Sequence, residues 1–427
     1  MVAETALRGF AAAPIAVPPL AVAAFALVFA AALAFVLGLV VLRICTHWRL
    51  FDQPGPRRIH QRAVPRLGGL AIFVAFMVVA ALLVRPANAY ETHVYFGFVV
   101  AAVLIVAVSV VDDLRGLPPL LRLGVQTLAA VIVMFPPLLP PGHGTLIEVI
   151  HNPLAVATDG RTFLPLWLAV PFTWFWIVGM MNTINWIDGV DGLAGGVVSI
   201  TALVMGAIAW LLGQHSAALL CCILAGATLG FLPLNWHPAR LFMGDCGAMF
   251  LGLALAVLAN VGGARLAMLL LLLGVPILDT ARVIVRRLRE GRSPLRFDRS
   301  HLHYRLMAGG LSQRHIAVVY SGVTAAFGVV TILAAYLETH AGFLRVRVGG
   351  VPLGVSELPT LLGLGLEAAE SHAIPRIATA RRRRTGLPPG ASFSALPAPP
   401  RRQASRRARS GTTRPLAPEA SGSHRRP

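Results

Sequence analysis

Nine aspartates stand in this 427-residue chain, and eight of them (Asp52, Asp112, Asp113, Asp188, Asp191, Asp245, Asp279 and Asp298) fall in or beside the polar intervals that alternation of its long apolar runs places on one side of a membrane. Only Asp159 lies elsewhere. Charged residues make up 13% of the chain and apolar ones 56%, and carboxylates are costly in lipid, so such grouping points to a shared chemical site. The densest segment runs from Asn182 through Asn185, Asp188, Gly189 and Asp191 to Gly196, directly after an apolar run. Its glycines let backbone approach a ligand, and amides opening the next helix favour an anion. A hydrophilic connector of turn-forming residues is the plainer alternative.

Asp112 and Asp113 close another apolar run, and adjacent carboxylates repel unless they share a cation or a proton. Hard oxygen ligands of this kind suit Mg²⁺, which commonly binds carboxylates together with substrate phosphates. A solvated pair at a helix end is the alternative there. Arg115, Arg122 and Gln126 follow as a polar, basic rim suited to phosphate. Asp245, flanked by Gly244 and Gly247, is exposed on tight backbone at the mouth of a helix, as a metal ligand or as a cap. The last segment holds Asp279, then Asp298, Arg299, His301, His303, Tyr304 and Arg305. A His-x-His pair could bind zinc, but no thiolate pair accompanies it and oxygen ligands predominate, so phosphate recognition is the better reading.

The elements that must position these residues are membrane helices. Ten apolar runs, near 20–42, 67–85, 96–111, 123–140, 164–181, 196–213, 216–234, 247–263, 266–281 and 315–337, approach the roughly 20 residues that cross a hydrocarbon core of about 30 Å. The expected fold is an all-α, polytopic integral membrane bundle of about ten helices, with the first run retained rather than cleaved. The formal charge of +19 comes entirely from arginine. It reads as composition bias rather than as a nucleic-acid footprint, so no nucleic-acid partner is expected. With the N-terminus outside, 18 arginines fall in inner intervals and only Arg85, Arg161 and Arg265 in outer ones. That bias places the aspartate-rich face in the cytoplasm. Cys45, Cys221, Cys222 and Cys246 suggest no disulfide framework. The inner motifs differ from one another, which argues against a transporter built of inverted repeats.

Two parts are expected: a membrane domain over 1–343 and an Arg/Pro-rich disordered tail over 344–427. Ten spans leave the tail and its 15 arginines outside, whereas an eleventh near 348–366 brings it inside.

Taken together, the segments resemble the polyprenyl-phosphate N-acetylhexosamine-1-phosphate transferases. The similarity covers about 43–314 and is carried by Asp52-Gln-Pro54 with Arg57-Arg58-Ile-His60, Pro65-Arg66-Leu-Gly68-Gly69, Asp112-Asp113, Asn182 to Gly196, Phe231 to Gly247, and Asp298-Arg299-Ser-His301-Leu-His303. The resemblance implies transfer of a sugar 1-phosphate from a UDP-N-acetylhexosamine, N-acetylglucosamine above all, to polyprenyl phosphate at the inner face of the cytoplasmic membrane. UMP is released, the diphosphate-linked product starts cell-envelope glycan synthesis, and Mg²⁺ is required, with Mn²⁺ as its substitute. A homodimer is left open.

On this reading Asp245, Asn185 and Asp113 hold the metal, and Asp112, Asp113, Asp188 and His301 are catalytic, Asp112 being a base by resemblance. Asn182, Asp191, Arg122, His303, Arg299 and Arg305 bind substrate. Tyr304 and Leu120 depart from the family's usual His and Lys. A cation- or proton-coupled transporter is the rival from another class, although its acids should sit in mid-span rather than at span ends. A catalytically inactive relative is the third reading.

Overall fold

The computed structural model describes residues 20–53, 62–86, 88–136, 144–151, 161–261, 266–293, 298, 300–340, 345–348 and 351–354. These belong to one compact unit, 1–378.

Each apolar run folds as helix, because a backbone in lipid must satisfy its polar groups within the segment. The helices are α1 (Leu20–His47), α2 (Gly69–Leu83), α3 (Ala89–Arg115), α4 (Pro119–Met134), α5 (Leu166–Ile187), α6 (Leu193–Leu211), α7 (His215–Asn235), α8 (Gly244–Val261), α9 (Leu266–Leu272), α10 (Gly274–Arg289), α11 (Leu302–Ala308) and α12 (Gln313–His340). Short hairpins pair β1 (Phe51–Asp52) with β2 (Val64–Pro65), β3 (Val149–His151) with β4 (Arg161–Phe163), and β5 (Arg345–Val348) with β6 (Val351–Gly354), all antiparallel. The last hairpin lies in the segment read from sequence as a disordered tail. The remainder of 344–427, and with it most of the stretch proposed for an eleventh span, is outside the described residues.

Among the described residues seven helices are long and apolar enough to cross a membrane, and up to eight if one bent pair counts as a span. That count, made on length and composition, leaves out three of the ten expected runs, for two physical reasons. Helices α2 and α4, with 15 and 16 residues, reach only about 22–24 Å at 1.5 Å per residue. The run 266–281 is broken: α9 and α10 meet at 84°. Gly274 and Pro276 stand at that break, where proline lacks the amide that would continue the ladder. Beyond it α10 carries Arg282, Arg286, Arg287 and Arg289, too many cations for a span.

Helix α8 is apolar all round and buried along nearly its whole length, so it forms the centre, packed on α3 and α5. Phe250 lies at its middle, with the rings of Phe73 and Phe76 edge-on at 5.3 and 5.5 Å. Without a hydrophobic drive between helices in lipid, close packing needs small residues. Ala23, Ala26, Ala30 and Ala34 of α1 supply that stripe against α7, where a side chain at Gly226 or Gly230 would strike the carbonyls of Leu27 and Ala31.

Candidate active site

Antiparallel alternation brings the C-terminal ends of α3, α5 and α7 together with the starts of α2, α4, α6 and α8, joined by short connectors at 116–118, 188–192 and 236–243. The Asp, Asn and Arg residues singled out from the sequence sit at these ends. Backbone ladders hold the pieces in register. Phe242 donates to Pro65 at 2.9 Å, while Gly68 and Gly69 donate to Phe242 and Met243 at 2.9 and 2.8 Å. This short pairing sets Arg66 beside the start of α8.

There Asp245 is the hub. Its Oδ1 lies 3.3 Å from Nη2 of Arg66 and accepts from Nδ2 of Asn185 at 3.0 Å; its Oδ2 lies 3.3 Å from Nη1 of Arg122. The same Arg122 nitrogen is 3.2 Å from Oδ2 of Asp112, and the carboxyl groups of Asp112 and Asp245 adjoin. Asp112 also accepts the Leu117 amide at 2.6 Å, which fixes the turn after α3. The arrangement is two facing carboxylates, a carboxamide and two guanidiniums drawn from five separate segments.

Asp113 behaves differently from its neighbour. Its Oδ1 accepts the Asp245 amide at 2.9 Å and pairs with Nε of Arg66 at 3.1 Å, and its Oδ2 accepts the Cys246 amide at 3.1 Å. A carboxylate on the first amides of α8 satisfies otherwise orphan donors and meets the positive end of the helix dipole. Its side chain is 0% exposed and both oxygens are engaged, so Asp113, read from sequence as a metal ligand, serves in this structure as a cap on α8. Gly244, at φ +75°, makes room for it, since a Cβ there would stand 2.7 Å from Asp113 Oδ2.

Asn182, expected at the substrate, pairs with Gln126 across α4 and α5, donating to its Oε1 at 2.9 Å. Asp191 anchors the next connector, 2.7 Å from Nδ1 of His237 and accepting the Ala239 amide at 3.1 Å. Asn235 receives the Gly192 amide at 3.1 Å, where Gly192 opens α6 at φ +75°. Asp188 ends α5, and burial pushes its carboxyl well above the usual range, with the negative charges of Asp245, Asp113 and Asp191 adding to the shift against Arg66.

The histidine segment abuts this loop. His301 lies beside Trp186, with ring centroids 5.6 Å apart, and stacks on His303 at 5.7 Å and 9°. His303 Nε2 would stand 3.2 Å from a Cβ at Gly189. Neither ring nitrogen of His303 finds a hydrogen-bond partner among the described residues. Burial, helped by His301, pulls its imidazole down to about 4. Asp298 ties the segment down through Nη2 of Arg286 at 2.8 Å and Nη1 of Arg287 at 2.6 Å. Although burial opposes it, hydrogen bonds from Ser300, Arg287 and Arg286 hold the Asp298 carboxyl well below the usual range. Arg305 lies half-buried on α11, and Arg299 is outside the described residues.

A small groove opens beside Asp112, lined by the apolar Ile105, Val108, Val125 and Met249 and by the polar Ser109, Arg122 and Gln126. The carboxylates of Asp245 and Asp112 are hard oxygen ligands of the kind that suit Mg²⁺, and the cations that meet them in this structure are the guanidiniums of Arg66 and Arg122. No three His, Cys, Asp or Glu side chains among the described residues gather closely enough to hold a metal alone. Asp245, Asp112 and Asn185 therefore fit an ion that completes its shell with phosphate oxygens and water.

Arg66, His237 and Asn235 receive no role from the sequence, and Asp279 receives only its place among the grouped aspartates. Arg66 is the one with a local signal, a cation placed three residues before a helix start in a chain poor in charge.

The description that matches this chain, over residues 95–263, is Glycosyl transferase family 4. A probable undecaprenyl-phosphate N-acetylglucosaminyl 1-phosphate transferase of Bacillus subtilis (strain 168) is 34% identical over 288 residues, covering 66% of this chain and 76% of that protein. A decaprenyl-phosphate N-acetylglucosaminephosphotransferase of Mycolicibacterium smegmatis is 33% identical, covering 73% and 81%. An undecaprenyl-phosphate alpha-N-acetylglucosaminyl 1-phosphate transferase of Salmonella typhi is 29% identical, covering 67% and 77%.

Proposed function

The chain belongs to glycosyl transferase family 4, and from that premise we propose that it transfers N-acetylglucosamine 1-phosphate, or a related N-acetylhexosamine 1-phosphate, from the UDP-sugar to a polyprenyl phosphate. A lipid phosphate oxygen attacks the β-phosphorus of the UDP-sugar. The bond from that phosphorus to the bridging oxygen breaks, and UMP leaves with the electron pair.

The observation that carries this reading is the convergence of Asp245, Asp112, Asn185, Arg66 and Arg122 at the helix ends. Joining two anionic substrates demands cations, whose pull is stronger beside low-dielectric lipid than in water. Arg122, which bridges Asp112 and Asp245, also lines the groove beside Asp112. It suits a lipid phosphate whose chain lies along Ile105, Val108 and Val125.

Asp245, Asp112 and Asn185 would hold Mg²⁺, which supplies charge neutralisation on the diphosphate. The chain's own groups do the positioning. Asp113 fixes the start of α8 and thereby Asp245. Asp188 and Asp191 shape the loop facing the nucleotide. His301, His303, Arg299 and Arg305 meet phosphate oxygens. A phosphate monoester with a second pKa of about 6 is already ionised at neutral pH, so a general base has little to remove. The arginine bias supports a site on the cytoplasmic side of the inner membrane.

The test is UMP release by the purified protein in detergent, given Mg²⁺, UDP-N-acetylglucosamine and undecaprenyl phosphate. Release that needs both substrates is expected. Release without the lipid, or none with any UDP-N-acetylhexosamine, overturns the reading.

A further inference from the structure

Asp279 has no part in the reaction described above, yet both of its oxygens grip the segment that carries His301. It sits on α10 with its side chain 5% exposed, 22 residues before His301. Its Oδ2 is 2.8 Å from Nδ1 of His301, and its Oδ1 accepts the Leu302 amide at 2.8 Å. The two contacts fix both where the imidazole sits and how it is turned. Trp186 of α5 and His303 of α11 hold the ring from its sides. Among the described residues Asp279 is the polar partner of that ring, whose side chain is only 7% exposed.

A carboxylate here can only accept, so Nδ1 of His301 carries the proton and Nε2 is left to meet a ligand. Were Asp279 merely a tie for the α10–α11 connector, the Leu302 amide alone would suffice. The second oxygen, on Nδ1, selects the tautomer. We propose that Asp279 is a positioning residue: it fixes the tautomer and orientation with which His301 presents Nε2 to a phosphate oxygen of the substrates. This rests on the assignment of His301 to phosphate handling.

The experiment compares Asp279→Asn, Asp279→Glu, His301→Ala and the double variant Asp279→Asn/His301→Ala with the parent in the UMP-release assay. An asparagine amide presents a donor to Nδ1 and forces the opposite tautomer. Asp279→Asn is expected to lower kcat on the order of 10²–10⁴-fold, as such tautomer reversals do, with KM for the UDP-sugar within about threefold. Asp279→Glu should recover at least about tenfold of that loss, and the double variant should be no slower than His301→Ala, because residues acting as one unit are not additive.

Parental kcat in Asp279→Asn, or losses that multiply in the double variant, overturns the proposal while leaving His301 its role. Parental kcat in His301→Ala overturns both. Ring ¹⁵N spectra of the parent protein, assigned with His301→Ala, do not depend on whether the aspartate variants fold. They should show a protonated Nδ1, and a bare Nδ1 refutes the proposal.

Discussion

Asp112 and Asp113 are the same residue type side by side, and sequence alone gives them one shared role. A single helical step of about 100° separates them in space. It turns Asp113 onto the first amides of α8 and Asp112 toward Arg122 and Asp245. The aspartate most open to a metal is therefore Asp245, held between two arginines and Asn185. Asp245→Asn should lower UMP release by at least ~10²-fold, the scale of losing several kcal/mol of charge stabilisation, while the protein stays folded in the membrane. Wild-type turnover in that variant would remove Asp245 from the site. His303 makes a separate prediction. Its folded pKa of about 4 lies below the ordinary 6.5, so between those values the unfolded chain takes up a proton that the folded ring refuses. Stability should fall as pH drops through that window, by ~3 kcal/mol in all, and be unaffected by this ring above it. His301, Asp279 and Tyr304 lie nearby, so the difference between parent and His303→Gln isolates the contribution. Equal pH dependence of melting temperature in the two proteins would rule out a neutral buried ring.

At the scale of elements, apolar run length identified the helices because lipid imposes one requirement on every spanning segment. What it missed is where a helix of that composition stops or bends. Gly274 and Pro276 were visible within 266–281, but the 84° turn depends on α9 and α10 meeting different neighbours, α12 and α5 among them. The pairing of Asn182 with Gln126 was equally hidden, because it joins helices 56 residues apart. The start of α8 shows how an element makes a site. Asp113 caps it, Gly244 at φ +75° leaves space for that cap, and Asp245 follows on the first turn. Gly244→Ala adds a left-handed strain of about 1–2 kcal/mol and a Cβ 2.7 Å from the capping carboxylate, whose loss is worth about 1 kcal/mol more. The melting temperature should drop by roughly 5 °C and turnover should fall with it. An unchanged variant would mean that the cap does not set the position of Asp245.

For the molecule as a whole, the decisive property is that one end of the bundle gathers the described aspartates and the arginines that face them. Sequence made this legible through the grouped aspartates and, with Arg8 and the 15 arginines of the tail set aside, through the arginines between runs: 18 in the inner intervals against Arg85, Arg161 and Arg265 in the outer ones. The contacts of Arg66 and Arg122 with Asp113, Asp112 and Asp245 bring distant intervals to one end, which an even scatter of span directions could not do. At the other end stand the β3–β4 hairpin and exposed Phe163 and Trp167, aromatic groups of the kind that settle at a membrane interface. The positive-inside bias then predicts which end faces the cytoplasm. In a protein whose four cysteines are replaced, a cysteine at Arg115 or Arg240 should react with an impermeant maleimide only in inside-out vesicles, and one at Trp167 only in intact cells. If Arg115 and Arg240 report opposite compartments, the two carboxylate-bearing ends cannot share a pocket, and the transferase reading fails with them. If both report the outside together, the pocket survives but would face away from the cytoplasmic nucleotide sugar, and the proposed donor would have to be abandoned.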